Sequence, residues 1–194
     1  MPQENIQDVA SPYYMFKYSI RTELTRKYYE RRIRTFFDFI GFLCSSGIEE
    51  RCNLFAEKAM SDSHRNQWNS PKLLEWFHKN FKTKKDRRML LILDIDAYSN
   101  GLNFVLGEAS PNAGLGVVYL PRIKEEFYGQ KPNEKLFYER MVKECVHELG
   151  HLFGLNHCAN TLCVMHFSNT LYDTDVKATG FCDRCRISLK SNYN

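Results

Sequence analysis

Apolar side chains along this 194-residue chain recur with the period of a helix in some segments and with that of a strand in others. The changes of period mark the boundaries between predicted helical and strand segments. Between Thr22 and Ile40 they recur on one face of a helix, and Gly41 fits its end. Ser70 followed by Pro71 predicts the start of a second, short helix, because serine caps a helix and proline is tolerated in its first turn. The sequence therefore predicts two helices before any strand.

The period becomes that of strands after the second helix. Segments 89–97 (MLLILDIDA), 102–109 (LNFVLGEA) and 116–120 (GVVYL) each predict a strand. From about Asn133 the helical period returns, with one apolar stripe formed by Val142, Cys145, Val146, Leu149, Leu152 and Phe153. A helix, a small sheet and a long helix together indicate an α/β layer arrangement with a C-terminal extension.

The long helix carries the sequence HELGHLFGLNH, which begins at His147. His147 and His151 are four residues apart, so both imidazoles lie on one helix face and can reach one ion. Gly154 allows a sharp turn, after which His157 can supply a third nitrogen. Three neutral imidazoles with one open position are typical of a catalytic zinc site, and Glu148 lies one step round the helix from the ligands. The alternative is a helix whose histidines are ordinary surface groups.

Glu148 and Met165 complete the chemistry that this motif predicts. Zinc in such a site lowers the pKa of a water and polarises a carbonyl, while Glu148 can take the water's proton and pass it to a leaving amine. The motif is similar to that of the metzincins, in which a methionine lies beneath the zinc, and Met165 is the candidate. Ordinary core packing is the alternative for Met165. The predicted activity is hydrolysis of peptide bonds.

Seven cysteines are present, and four of them cluster near the C-terminus. The odd number, and the lack of a recognisable signal peptide, favour metal ligation over disulfides. A C-x4-C pair and a C-x2-C pair, eighteen residues apart, match a closed structural zinc site formed by Cys158, Cys163, Cys182 and Cys185. Four unrelated buried cysteines are the alternative. Cys145 is predicted to lie in the core, and Cys44 and Cys52 have no predicted role.

Composition and charge narrow the functional class. The longest apolar run, Met89 to Leu93, is too short to cross a bilayer. Net charge is +4, and the basic runs at 26–34 and 79–88 are explained more simply by solvated helix faces than by nucleic-acid binding. We expect a monomeric cytoplasmic protein with a peptide or protein substrate and neither membrane association nor a nucleic-acid partner.

The stretch from His147 to Cys185, HELGHLFGLNHCANTLCVMHFSNTLYDTDVKATGFCDRC, resembles the archaemetzincin family of the metzincin clan. LNFVLGEA and VVYLPR resemble strands of that family. The resemblance implies one compact α/β domain over residues 1–194, with a small mixed twisted sheet, a long active-site helix and a C-terminal zinc-bound segment. Residues 1–146 would form the N-terminal sheet and helix part. Residues 147–194 would hold the active-site motif, the methionine turn and the four-cysteine segment.

The resemblance also implies roles for single residues and two zinc ions per chain. Glu148 would be the general base, and Met165 would form the turn beneath the metal. The catalytic zinc would be held by His147, His151 and His157, and the structural zinc by Cys158, Cys163, Cys182 and Cys185.

Four further expectations concern the substrate cleft and its surroundings. GVVYL (116–120) is a candidate substrate-binding edge, with an interior strand as the alternative. Residues 166–171 are expected to wall the pocket for the residue after the scissile bond. Tyr172 is expected to pack rather than to stabilise an oxyanion, and Asp175 and Lys177 to form a structural pair near the cysteines.

A function of a different class stays open on the sequence alone. The four-cysteine segment and the basic runs also suit a zinc-stabilised module that binds protein or nucleic acid, with little or no peptidase activity. Glu148 favours the enzyme, because a binding module needs no carboxylate between two metal ligands.

Overall fold

The computed structural model describes residues 61–80 and 88–191, so the predicted helix at 22–40, Cys44 and Cys52 lie outside the described residues. The described residues belong to one compact unit, Ala59–Asn194. In chain order its elements are β1 (Ser61–Asp62), β2 (Gln67–Asn69), α1 (Ser70–Asn80), β3 (Met89–Leu93), β4 (Ala97–Tyr98), β5 (Gly107–Ser110), β6 (Leu115–Tyr119), α2 (Glu134–Leu152), α3 (Leu171–Val176) and α4 (Asp183–Ser191). Two 3-10 turns, Pro121–Ile123 and Glu125–Tyr128, connect β6 to α2.

The strands form two small mixed sheets. One has the order β1-β2-β4, and the other has the order β3-β6-β5. In the second sheet β6 pairs in parallel with β3 and antiparallel with β5, and all five of its residues are buried. The expectation that segment 116–120 forms a sheet edge is therefore wrong, because both of its edges are already paired. The edge strand on that side of the sheet is β5.

Two of the predicted strands are shorter than the sequence pattern suggests. Segment 89–97 breaks after Leu93, where Asp94 and Asp96 leave the ladder to form ion pairs with Lys124 and Arg122 at 2.7 and 2.6 Å. Segment 102–109 contributes only its last three residues to β5. Residues 102–106 form a loop instead.

The long helix α2 begins and ends where the sequence predicts. The side chain of Asn133 caps its first turn by accepting the Leu136 N–H at 3.1 Å. Gly154 follows the helix with φ +82°, a left-handed conformation that suits glycine. The N–H of Leu155 then donates to the Gly150 carbonyl at 2.9 Å, which closes the helix end and turns the chain back.

Packing against the sheet fixes the position of this helix. α2 contacts β5 and β6, and α1 contacts β6. A Cβ at Gly116 of β6 would lie 3.1 Å from Leu90 and 3.3 Å from Leu152, so the missing side chain lets helix and sheet approach closely. Within residues 61–80 and 88–191, no helix is long and apolar enough to cross a membrane.

Candidate metal centres and active-site cleft

His147, His151 and His157 converge at the C-terminal end of α2, as the motif predicts. Their metal-binding nitrogens lie within 4.8 Å of one another. The ring centroid of His151 is 4.7 Å from that of His147 and 4.8 Å from that of His157. His147 is buried, His151 is half-buried and His157 is exposed, so the cluster opens toward solvent on the His157 side.

Hydrogen bonds of the first two rings decide which nitrogens face each other. His147 Nδ1 lies 2.8 Å from the Val164 carbonyl oxygen, and His151 Nδ1 lies 2.8 Å from that of Leu155. A carbonyl oxygen only accepts, so in a neutral ring each Nδ1 carries the proton and each Nε2 keeps a lone pair. Burial lowers the pKa of His147 to about 3, which favours the neutral ring.

The two Nε2 atoms lie only 3.1 Å apart. Two lone pairs at this separation repel each other, and a cation shared between them removes the repulsion. The histidine set therefore fits a zinc ion, both by its chemistry and by the orientation of its donors.

The Glu148 carboxylate lies beside this cluster with one oxygen unpaired. Its side chain is 3% exposed, and Oε2 has no hydrogen-bond partner among the described residues. Burial, and secondly the neighbouring Glu144, raise the pKa of Glu148 well above its usual value. Gly107 of β5 lies so close that a Cβ there would overlap the carboxylate. A buried oxygen without a partner is costly, and its presence indicates a role for an external group such as water.

Met165 lies beneath the helical turn that joins His147 to His151. A Cβ at Gly150 would overlap the Met165 sulfur. The Met165 side chain can therefore pack against the helix only because residue 150 is a glycine. Met165 is fully buried, and its carbonyl accepts the N–H of Cys158 at 2.9 Å. Its side chain therefore packs under the helix, in the place where the sequence predicts an apolar floor.

The four C-terminal cysteines also come together. Their sulfurs lie within 4.8 Å of one another, and the pairs Cys158–Cys182 and Cys163–Cys185 are each 3.8 Å apart. Four sulfurs about 2.3 Å from a zinc ion would form a tetrahedron with edges of roughly 3.8 Å. These separations are far too long for disulfides and fit a shared metal.

Local contacts favour a thiolate at Cys182, whereas burial raises the pKa of Cys163 and of Cys185. The N–H of Cys182 donates to the Cys163 sulfur at 3.3 Å. A hydrogen bond from the Cys185 backbone is the largest influence that lowers the pKa of Cys182, to about 7. Cys163 and Cys185 lie in a small core with Val164 and Met165, so the cysteine cluster and the floor beneath the histidines share one set of packed side chains. Cys145 is buried outside the cluster, in agreement with its predicted core position.

One buried and one partly buried ion pair tie α2 to the segment after Met165. Lys177 Nζ lies 3.0 Å from Glu144 Oε1, and the two side chains are 0% and 4% exposed. Arg140 holds both carboxylate oxygens of Asp175, at 2.6 and 2.7 Å, and also contacts Glu125 at 2.6 Å. The expected pair between Asp175 and Lys177 is therefore wrong, because the two side chains reach different residues of α2.

A cleft of about 520 Å³ runs past the histidines. The cleft is lined by residues 99 and 101–109, by Glu144 and Glu148 of α2 together with the three histidines, and by residues 167–169. Of the expected wall at 166–171, residues 167–169 line the cleft, and their contact with the residue after the scissile bond stays a prediction. Tyr172 is 73% exposed, so the expectation that it packs is wrong.

Sequence reasoning missed Glu144 and Gly107 as cleft residues. Glu144 lies one helical turn before Glu148, and a charged residue on that face was the available signal. Gly107 gave no comparable signal, because its position depends on how the strand meets α2.

Comparison with known proteins identifies relatives of this chain. The model of Peptidase family M54 matches residues 56–191. An archaemetzincin of Pyrococcus abyssi is 44% identical over 120 residues, which span 62% of this chain and 62% of that protein, less than two thirds of its length.

Solved structures agree with this assignment and confirm the expected fold class. An archaemetzincin from Methanopyrus kandleri has a TM-score of 0.62 and 38% identity, over 70% of this chain and 71% of its own. A zinc-dependent peptidase from Methanocorpusculum labreanum has a TM-score of 0.60 and 32% identity, over 67% of this chain and 78% of its own. This chain belongs to Peptidase family M54, the archaemetzincin family of zinc-dependent metallopeptidases.

Proposed function

We propose that this chain hydrolyses peptide bonds with a zinc ion held by His147, His151 and His157 and with Glu148 as the general base. The observation that carries the proposal is the pair of facing Nε2 atoms, 3.1 Å apart, beside a buried carboxylate oxygen without a partner. A cation between the two Nε2 atoms would remove the repulsion of their lone pairs. A water that enters from the cleft could donate a hydrogen bond, and then a proton, to the Glu148 oxygen.

An extended peptide can bind along β5. This strand pairs with β6 on one side and lines the cleft on the other. Backbone groups at such an edge are available to pair with an added strand. A peptide bound in this way would pass between β5 and residues 167–169, with a carbonyl group near the histidines.

Glu148 then carries the proton between the two halves of the reaction. When bound, zinc polarises the substrate carbonyl and lowers the pKa of water. Oε2 of Glu148 accepts a proton from the attacking water, and the same carboxyl group returns it to the leaving amine nitrogen as the C–N bond breaks. A raised pKa of Glu148 suits this double role, because the group must both take and release a proton.

We further propose that the four cysteines hold a second zinc ion with a structural role. Their separations match a closed tetrahedral site, which leaves no position for water or substrate. The chain would then contain two zinc ions. Binding of this second ion would stabilise residues 158–191, whose helices are short.

The decisive experiment compares wild type with Glu148→Gln, and uses Glu139→Gln on the same helix as the matched control, because Glu139 is 44% exposed. We expect two zinc ions in all three proteins by metal analysis. Cleavage of a peptide library should fall at least 10²-fold in Glu148→Gln only. Equal cleavage by Glu148→Gln and wild type would refute the assigned base. Tight peptide binding by wild type without any cleavage would instead support a binding module.

A further inference from the structure

A chain of hydrogen bonds leads from the buried Glu144 to the cleft. Thr174 Oγ1 lies 3.0 Å from Glu144 Oε1 and 3.0 Å from Ser168 Oγ. Thr174 is fully buried, whereas Glu144 and Ser168 both line the cleft. The three side chains connect α2, the wall at 167–169 and α3, and they lie where the residue after the scissile bond is expected to bind.

The charge of Glu144 sets the direction of these hydrogen bonds. Its carboxylate accepts the Lys177 ammonium at 3.0 Å in a fully buried pair, so it is held ionised and acts only as an acceptor. The single proton of Thr174 must therefore point to Glu144. Ser168 must then donate its own proton to Thr174, because two hydroxyls 3.0 Å apart with no proton between them would repel.

Because Ser168 has already donated its only hydroxyl proton, its Oγ can only accept a hydrogen bond from a ligand. A substrate side chain with an N–H or O–H group can donate to this oxygen, whereas a carboxylate would meet it lone pair to lone pair. An aliphatic side chain of the same size would leave the polar group without a partner once water is displaced.

We propose that the pocket between Glu144 and Ser168 selects a hydrogen-bond-donating side chain at the residue after the scissile bond. Ser168 makes the contact, and Thr174 with Glu144 fixes the orientation of its hydroxyl. This inference rests on the proposed peptidase function for the position of the substrate. It adds a chemical class of preferred side chain, with asparagine or glutamine favoured over leucine and aspartate.

Three succinyl hydroxamates of nearly equal shape test this selectivity by affinity for the zinc-loaded protein. They carry a carboxamide, an isobutyl or a carboxylate side chain, and binding is measured by calorimetry. Wild type should bind the carboxamide about tenfold more tightly than the carboxylate. Ser168→Ala should weaken carboxamide binding about tenfold and should tighten isobutyl binding, because the polar oxygen that the isobutyl group leaves without a partner is removed. Ser188→Ala, at an exposed position of α4, should change neither.

Thr174→Val distinguishes the proposed orienting role of Thr174 from a purely structural role, which would not change the ratio of carboxamide to carboxylate affinity. Valine keeps the shape of threonine but frees the Ser168 proton, so the variant should lose most of its discrimination against the carboxylate. Equal wild-type affinities for carboxamide and carboxylate, or equal effects of Ser168→Ala on all three ligands, would overturn the inference. Peptide cleavage by the same preparations reports on the proposed function separately, because ligand affinity does not require turnover.

Discussion

Gly107 of the edge strand lies directly against the Glu148 carboxylate, with no room for a side chain between them. The strand that is proposed to bind substrate and the proposed general base are therefore in contact. A change at this one backbone position should disturb the reaction without touching a metal ligand.

We expect Gly107→Ala to reduce peptide cleavage at least tenfold, because the added methyl group must displace the carboxylate from its position. Overpacking of this kind costs about 1–3 kcal/mol of unfolding free energy, so the protein should still fold. The matched control is Gly180→Ala, where a Cβ has nothing within 4 Å. Cleavage rates and zinc content of both variants check the prediction, and an unchanged rate in Gly107→Ala would contradict it.

The Glu144–Lys177 pair should be essential to stability because both charges are buried. Lys177→Met leaves the Glu144 carboxylate without its cation, and removing one partner of a buried pair typically costs about 3–5 kcal/mol. The double variant Glu144→Gln with Lys177→Met should recover part of this loss. Denaturant unfolding measures the effect, with exposed Lys190→Met as the control. A double variant less stable than the single one would contradict this account.

Loss of one cysteine ligand should remove the second metal and loosen the C-terminal segment. We expect Cys185→Ser to contain one zinc ion per chain instead of two, with faster amide hydrogen exchange over residues 158–191. Cys145→Ala is the matched control, since Cys145 is buried but lies outside the cluster. Two zinc ions in Cys185→Ser would show that the four sulfurs do not share an ion.

Tyr119 should make the fold sensitive to alkaline pH. Burial raises its pKa far above the usual value of 10, and its hydroxyl donates to Ser70 Oγ at 2.7 Å. The unfolded chain loses this proton above pH 10 while the folded chain keeps it, so the contribution of Tyr119 to stability is present below pH 10 and falls as the pH rises.

Tyr119→Phe should therefore cost about 1 kcal/mol at pH 8, where only the hydrogen bond is lost. The difference from wild type should then shrink or reverse by up to about 1.4 kcal/mol for each pH unit above 10. Unfolding free energies at several pH values give this difference directly. A difference that stays constant from pH 8 to 11 would show that the tyrosine ionises equally in both states.

The convergence of the histidines and of the cysteines was predictable, because the residues that bring them together are close in the sequence. His147 and His151 share one helix face by their spacing, and Gly154 supplies the turn that brings in His157. The same holds for the paired cysteines, since each pair spans only a few residues and metal chemistry restricts their arrangement.

The edge strand and the ion pairs were not predictable in this way. Strand order decides that β6 lies between two neighbours, and the alternation of side chains along a strand does not encode that order. Likewise Asp175 finds Arg140 and Lys177 finds Glu144 across 35 and 33 positions of the sequence. A spacing of two between Asp175 and Lys177 gave no indication of those distant partners.

His157 and Cys158 are consecutive, yet one belongs to the histidine cluster and the other to the cysteine cluster. A single peptide bond thus joins two sites of different chemistry, and the carbonyl of Met165 anchors it through the Cys158 N–H. Loss of the zinc ion that we propose for the cysteine cluster should therefore displace His157 as well. We expect peptide cleavage to require both ions, so that loss of either one lowers the rate.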